Sequence, residues 1–528
     1  MSYLQNLAYF FNLPFNIQWR TLLVQLPRWV PLSILHFTSP IGPQPFLVAL
    51  PSRKNHNIPL YVFVPPAPVD TPGADTRGAD GEWKVPVVLD FHGGGFIMGS
   101  PLEQAPYAAM MSRELGAVVI SVSYRIGPFS QFPAAIHDAE DVLAAILDTE
   151  GVSKAGKILR TEINRYHSLT EENKRCKRSG RRSCKSKRRR NQQPDSPSSN
   201  NATTITLDTT RLCISGFSAG GNIALNTVIS VPPCLDMLHP SSPAPGPGDR
   251  RKSLFSPLLP PTRNPTILDD PSNAWPSVLP PPEPQSRLIP LLLFYPSLDA
   301  RLLPHERPRK ALPKALKGDD KRAQKPKAPG LFSIMGPTYL PKKMRAHPRA
   351  SPGLVNPDNI QKNASILLVL SEKDSLAVQS DVWVDKMNTA GWNGPVRFGD
   401  GREGDWDGLG HGEGGLDVVR DNGGLEVWHA PECRHGWTQF PGIALGRHEK
   451  GERDKVFVRA LAFVREAWGR GLTGEGDGAE RLARVREEEI PPLRMPESVQ
   501  VTENGVGNGG KVVNGDGLVN GMAKDVGV

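Results

Sequence analysis

The string RLCISGFSAGGNIALNTVIS sets Gly216-Phe217-Ser218-Ala219-Gly220 between a strand-like run and a helix-like one. A G-x-S-x-G at that junction asks for a sharp turn in which a Cβ at either flanking glycine would clash and the serine hydroxyl is pushed into the open. Ser218 is therefore a candidate nucleophile. The N–H of Ala219, at a helix start with no carbonyl one turn behind it, is a candidate donor beside it. A second string, FHGGGFIMGS, brings His92, Gly93, Gly94 and Gly95 to the end of another apolar run. Three glycines weaken whatever element holds them, but bare backbone lets N–H groups converge on the oxyanion of an acyl-transfer intermediate. A phosphate cradle would want G-K-[ST] or G-x-G-x-x-G, and neither follows. His92 reads as a structural histidine that fixes the loop.

Such residues need rigid elements to hold them. Short apolar runs bounded by turn residues predict strands at 58–64, 85–91, 117–124, 211–215, 288–295, 364–370 and 425–430. Helical patterns lie between many of them, in PLEQAPYAAMMSREL, PAAIHDAEDVLAAILDTE, the stretch after Gly220, SLAVQSDVWVDKMNTAG and KVFVRALAFVREAW. Strands with little polar alternation, interleaved with amphipathic helices, predict an α/β fold with a mostly parallel central sheet covered on both faces.

Composition sets the surroundings. A chain of 528 residues can bury a sizeable core, and its 51 Gly and 53 Pro place much of the surplus length in loops. Biased stretches near 160–204, 239–287, 301–330 and 396–424 read as low-complexity insertions into a domain over 46–470, followed by a flexible tail over 471–528. The basic run at 174–190 contributes to the net charge of +9, but it lacks interleaved aromatics for base stacking, so no specific nucleic-acid partner is expected. Cys176, Cys184, Cys213, Cys234 and Cys433 are too few and too scattered for a secreted disulfide framework. They also lack paired zinc spacing, so no metal site is expected, and no motif in the sequence calls for a cofactor. The N-terminal segment 1–45 is apolar and aromatic, yet Pro14, Arg20, Pro27, Arg28 and Pro31 break it short of a membrane span. Residues 1–40 offer a peripheral membrane contact instead. A cytoplasmic location is expected, with a membrane surface or the nucleus as alternatives, and no oligomeric state is set.

The blocks, in their order, resemble the α/β-hydrolase fold and more closely the hormone-sensitive-lipase-like carboxylesterases (α/β-hydrolase fold-3). His92 to Phe96 is similar to that family's HGGG followed by an aromatic residue. Ser123-Tyr124-Arg125 with Phe132-Pro133-Ala134-Ala135 resembles its D-Y-R before a P-x-P-x-A-A helix. Tyr295-Pro296-Ser297-Leu298-Asp299 resembles the strand end that follows the nucleophile helix. ILLVLSEKDSL resembles the strand that delivers the acid. The resemblance implies that Asp374 is the carboxylate of a triad, with Glu372 a weaker substitute. The base should follow the acid in the chain, and His435 in RHGW resembles the family's histidine loop. His429, within a strand end, stands second and His411, in the Gly/Asp-rich insertion, third. Departures are Phe217 and Ser123 where the family usually carries Asp, and Phe129 where an acidic residue often lies. The resemblance also implies a helical cap from residues 1–45 and part of 300–350, including MGPTYL.

The expected activity is therefore hydrolysis of a carboxylic ester with an apolar acyl group. Ser218 would attack, His435 would act as base, Asp374 would orient it, and Gly93, Gly94, Gly95 and Ala219 would form the oxyanion hole. An amidase or deacetylase would use the same residues. A non-catalytic binding protein of the same fold is the alternative from another class.

Overall fold

The computed structural model describes residues 10–35, 39, 42–53, 56–66, 82–178, 204–233, 274–283, 286–308, 310, 328–399 and 423–470. Nine strands form one sheet: β1 (Phe46–Pro51), β2 (Asn57–Phe63), β3 (Glu82–Phe91), β4 (Val118–Val122), β5 (Thr204–Phe217), β6 (Ile289–Phe294), β7 (Ala364–Ser371), β8 (Val396–Phe398) and β9 (Leu425–Ala430). Their order is β1-β2-β4-β3-β5-β6-β7-β9-β8. The β1–β2 and β2–β4 pairs are antiparallel, and all the others are parallel.

Burial explains both halves of this pattern. β4, β7 and β9 are buried at every residue, as parallel strands covered on both faces must be. β1, at the antiparallel edge, alternates between buried and accessible residues. Its letters, FLVALP, are apolar throughout despite that alternation, and β1 is an addition to the predicted strands.

The helices are α1 (Phe15–Trp29), α2 (Ala105–Leu115), α3 (Ala134–Leu147), α4 (Lys154–Arg178), α5 (Ala219–Thr227), α6 (Leu331–Tyr339), α7 (Ala377–Thr389) and α8 (Arg447–Trp468). Because side chains alternate across a strand, β3 feeds two cores. Val87, Leu89 and Phe91 face a layer built with α3, α4, α5 and α7. Val88 faces Tyr107, Ala108, Val456, Leu461 and Val464 of α2 and α8. Ile17 and Val24 bring α1 into the first layer, where it packs on α6. No described helix is long and apolar enough to cross a membrane.

Several expected insertions begin later or end sooner than read. α4 occupies 160–178, because Leu159, Ile163 and His167 recur at helical spacing and are buried, while Tyr166 stacks on Phe46 of β1 at 4.1 Å. The lysines and arginines beyond it had masked that apolar face. In the stretch 239–287, Trp275 is buried, its backbone pairs with Val231, and its indole N–H donates to Glu140 Oε1 at 2.6 Å. The stretch 396–424 opens with β8, and within 301–330 Lys310 is held by Glu372 and Asp381. His411, residues 179–203 with most of the basic run, and the tail from 471 lie outside the described residues.

Candidate active site

The carboxyl ends of β3, β5, β7 and β9 meet along one edge of the sheet, and each delivers one part of the site. β5 runs straight into α5 through Ser218, whose backbone sits at φ 54°, ψ −111°. A non-glycine residue with positive φ carries strain that its surroundings must hold in place. Here the Ser218 N–H donates to the Phe294 carbonyl at 2.9 Å, and its own carbonyl accepts from Ser297 N–H at 3.1 Å. The turn leaves no room beside it. A Cβ on Gly216 would lie 2.2 Å from the Gly220 carbonyl oxygen, and one on Gly220 would lie 2.1 Å from that of Phe91.

Asp374 sits just past β7 and His435 just past β9. His435 Nδ1 lies 2.6 Å from Asp374 Oδ2, and His435 Nε2 lies 2.9 Å from Ser218 Oγ. A carboxylate can only accept, so Nδ1 carries the proton and Nε2 is left with its lone pair toward the serine hydroxyl. The two loops are tied down around this row. Asp374 Oδ1 accepts from Leu376 N–H at 3.1 Å, and the Trp437 indole donates to Ser371 Oγ at 2.9 Å. The Tyr295 and Thr438 hydroxyls are hydrogen-bonded, and the Tyr295 ring stands edge-on to His435 at 5.0 Å. His429 and Glu372 do not join this row: they pair with each other, Nδ1 to Oε1 at 2.5 Å.

Past β3, Gly94 adopts φ 113°, and a Cβ there would lie 2.1 Å from the Met98 carbonyl oxygen. A Cβ on Gly93 would meet Gln439, and one on Gly95 would meet the Phe332 ring. The N–H groups of Gly94 and Gly95 donate to no acceptor among the described residues. Ala219, the first residue of α5, has no carbonyl one turn back. The loop is stiffened from beneath. His92 Nδ1–H donates to the Gly93 carbonyl at 2.7 Å, the Tyr124 hydroxyl donates to the His92 carbonyl at 2.7 Å, and the two rings stack at 4.2 Å. Burial, aided by the nearby Arg28 cation, lowers His92 to about 3, so it stays neutral. Arg28 of α1 reaches in to donate to the carbonyls of Gly99 (3.0 Å) and Tyr124 (2.8 Å).

Sequence reasoning missed Asp90. It is fully buried under the site, where it accepts from Ser215 Oγ–H at 2.7 Å and Ser121 Oγ–H at 3.0 Å. Burial pushes its carboxyl up to about 6. The signal was present as single polar letters in apolar strands, since Asp90 is in register with Ser121 on one side and Ser215 on the other. Phe217 shows what replaced the family's usual Asp: its ring stacks on Phe294 at 4.3 Å and meets Tyr107 edge-on at 5.0 Å.

Comparison with known proteins bears on the same segment. Residues 88–233 match the family model described as alpha/beta hydrolase fold. Carboxylesterase 20 of Arabidopsis thaliana is 31% identical over 96 residues, which are 18% of this chain and 28% of the relative. Hormone-sensitive lipase of Ictidomys tridecemlineatus is 38% identical over 52 residues, 10% of this chain and 7% of the relative. The match thus spans less than a third of either relative's own length. Among solved structures, an esterase of Pyrobaculum calidifontis aligns with 85% of this chain and 93% of its own at 16% identity and a TM-score of 0.43. The stretch from β3 through the turn at Ser218 to the end of α5 thus carries the alpha/beta hydrolase fold, and the chain is similar in part to carboxylesterases and to hormone-sensitive lipase.

Proposed function

We propose that the chain is a serine hydrolase of carboxylic esters. The observation that carries the reading is the unbroken row from Ser218 Oγ through His435 to Asp374, with hydrogen bonds of 2.9 and 2.6 Å. In this reading Ser218 Oγ attacks the ester carbonyl while His435 Nε2 accepts its proton, and Asp374 holds the ring and stabilises the imidazolium. The carbonyl oxygen becomes an oxyanion toward which the Gly93–Gly95 loop and Ala219 turn their N–H groups. Collapse expels the alcohol, which takes the proton from His435. Water, activated by the same histidine, then releases the acid from the acyl-enzyme.

The substrate class is an ester with an apolar acyl group. The same row would serve an amide, and comparing an ester with the matching anilide separates the two. The test is hydrolysis of a p-nitrophenyl ester series by the full chain beside Ser218→Ala, with a burst assay for the acyl-enzyme. Turnover lost in the variant supports the reading. A folded wild type that is silent across the series discards it in favour of a binding protein.

A further inference from the structure

Helix α1 is apolar on two opposite sides. Ile17, Thr21 and Val24 are buried on its inner side. Phe15, Trp19, Leu22, Leu26 and Trp29 recur at steps of three and four residues on the other side, and all are exposed, Phe15 at 78%, Leu22 at 52% and Trp29 at 67%. Such a spacing is one helical stripe. A contiguous apolar surface of this kind on a soluble fold marks an interaction site. At 15 residues the helix is about 22 Å long, too short to span a bilayer.

Charge selects the occupant. No Asp or Glu stands anywhere from Met1 to Val69, while Arg20 lies on the helix with its guanidinium over the Trp19 ring. Two copies meeting through this stripe would face cation against cation with no acid to answer it. An anionic lipid surface supplies the missing charge, an apolar layer for the leucines and phenylalanines, and a headgroup zone suited to Trp19 and Trp29. The helix also lies near the site. α1 packs on α6, whose Phe332 is 40% exposed and lies where a Cβ on Gly95 would touch its ring.

We propose that the outward face of α1 docks the chain on an anionic membrane surface, so that the site edge at Gly95 faces the bilayer and receives an ester partitioned into it. The delivery half rests on the serine-hydrolase reading; the docking half does not.

The test is flotation of the full chain, as wild type and as Ser218→Ala, with phosphatidylcholine vesicles that contain or lack phosphatidylglycerol. Both proteins should float with the anionic vesicles, more weakly as salt is raised. The triple variant Trp19→Glu, Leu22→Glu, Leu26→Glu should lose binding by about tenfold or more while hydrolysing a soluble short-chain ester at the wild-type rate. Absence of flotation, equal flotation of the triple variant, or a wild-type dimer that the triple variant dissociates would each overturn docking. A vesicle-borne ester hydrolysed as fast by the triple variant as by wild type would overturn delivery alone. Flotation of a wild type inactive on every ester would sink the hydrolase reading and leave docking standing.

Discussion

Two histidine–carboxylate pairs lie side by side at the ends of β7 and β9. Asp374 pairs with His435, and Glu372, two residues earlier, pairs with His429. Both use Nδ1, and both tie the chain at the end of β7 to the chain at the end of β9. They differ in what lies beyond. The His435 side chain is 38% exposed and turns its second nitrogen to Ser218. The Glu372 side chain is fully buried, Lys310 holds its other oxygen at 2.9 Å, and the His429 ring is stacked on Phe398 at 5.0 Å. A histidine beside a carboxylate is thus not in itself a chemical device. Access and a hydroxyl on the far nitrogen make the one a candidate base, while burial and a second cation make the other a clamp.

The comparison can be broken most sharply at the open pair. Ser218→Ala or His435→Gln should cut turnover by roughly 10⁴–10⁶-fold without lowering the thermal midpoint. Retention of activity in His435→Gln would mean that His429 can replace it. Asp374→Asn should cost about 10⁴-fold, because the amide no longer enforces the donor at Nδ1; full turnover in that variant would transfer the acid's role to Glu372. At the closed pair the readout reverses. Glu372→Gln should leave turnover within a few-fold but lower stability by roughly 3 kcal/mol in urea unfolding, since a buried Lys310 and His429 lose their shared carboxylate. A stable but inactive Glu372→Gln would merge the two pairs into one machine.

The smallest effect is in pH. Burial would raise the Glu372 carboxyl, but the hydrogen bond from His429 and the Lys310 charge hold it below its ordinary value of 4.5. A carboxylate lowered in the folded state adds stability that is complete above that ordinary value and fades as pH falls through the lowered one. Wild type should therefore lose stability faster than Glu372→Gln when acidified below 4.5. Parallel curves would show that the clamp is not ionic.

The parts of the site that could be read from the sequence were those where chemistry forbids substitution. The turn at Ser218 tolerates only glycine at Gly216 and Gly220, so the motif survives as letters. The fully buried strand β7 survives as the apolar run ILLVL because both its faces are covered. What escaped depended on a partner distant in the chain. Asp90 takes its meaning from Ser121 and Ser215, which reach it only through strand register. α4 was obscured because charge density near Arg178 outweighed an apolar stripe whose partners, α3, β1 and β5, appear only in the fold. The assignment of Glu372 to His429 rather than His435 needed the loops in three dimensions, since sequence distance ranks the two histidines almost equally.

Arg28 gives the chain's beginning a stake in its chemistry. A shortened form starting beyond Trp29, whether from an internal start codon or from proteolysis, would keep Ser218, His435, Asp374 and every glycine of the loop. It would nonetheless lose the guanidinium that ties the Gly99 and Tyr124 carbonyls. Both carbonyls lie within a few residues of the elements that shape the HGGG loop, and both would be left without that donor. Such an isoform would match every motif of the site and still lack one support of its glycine loop.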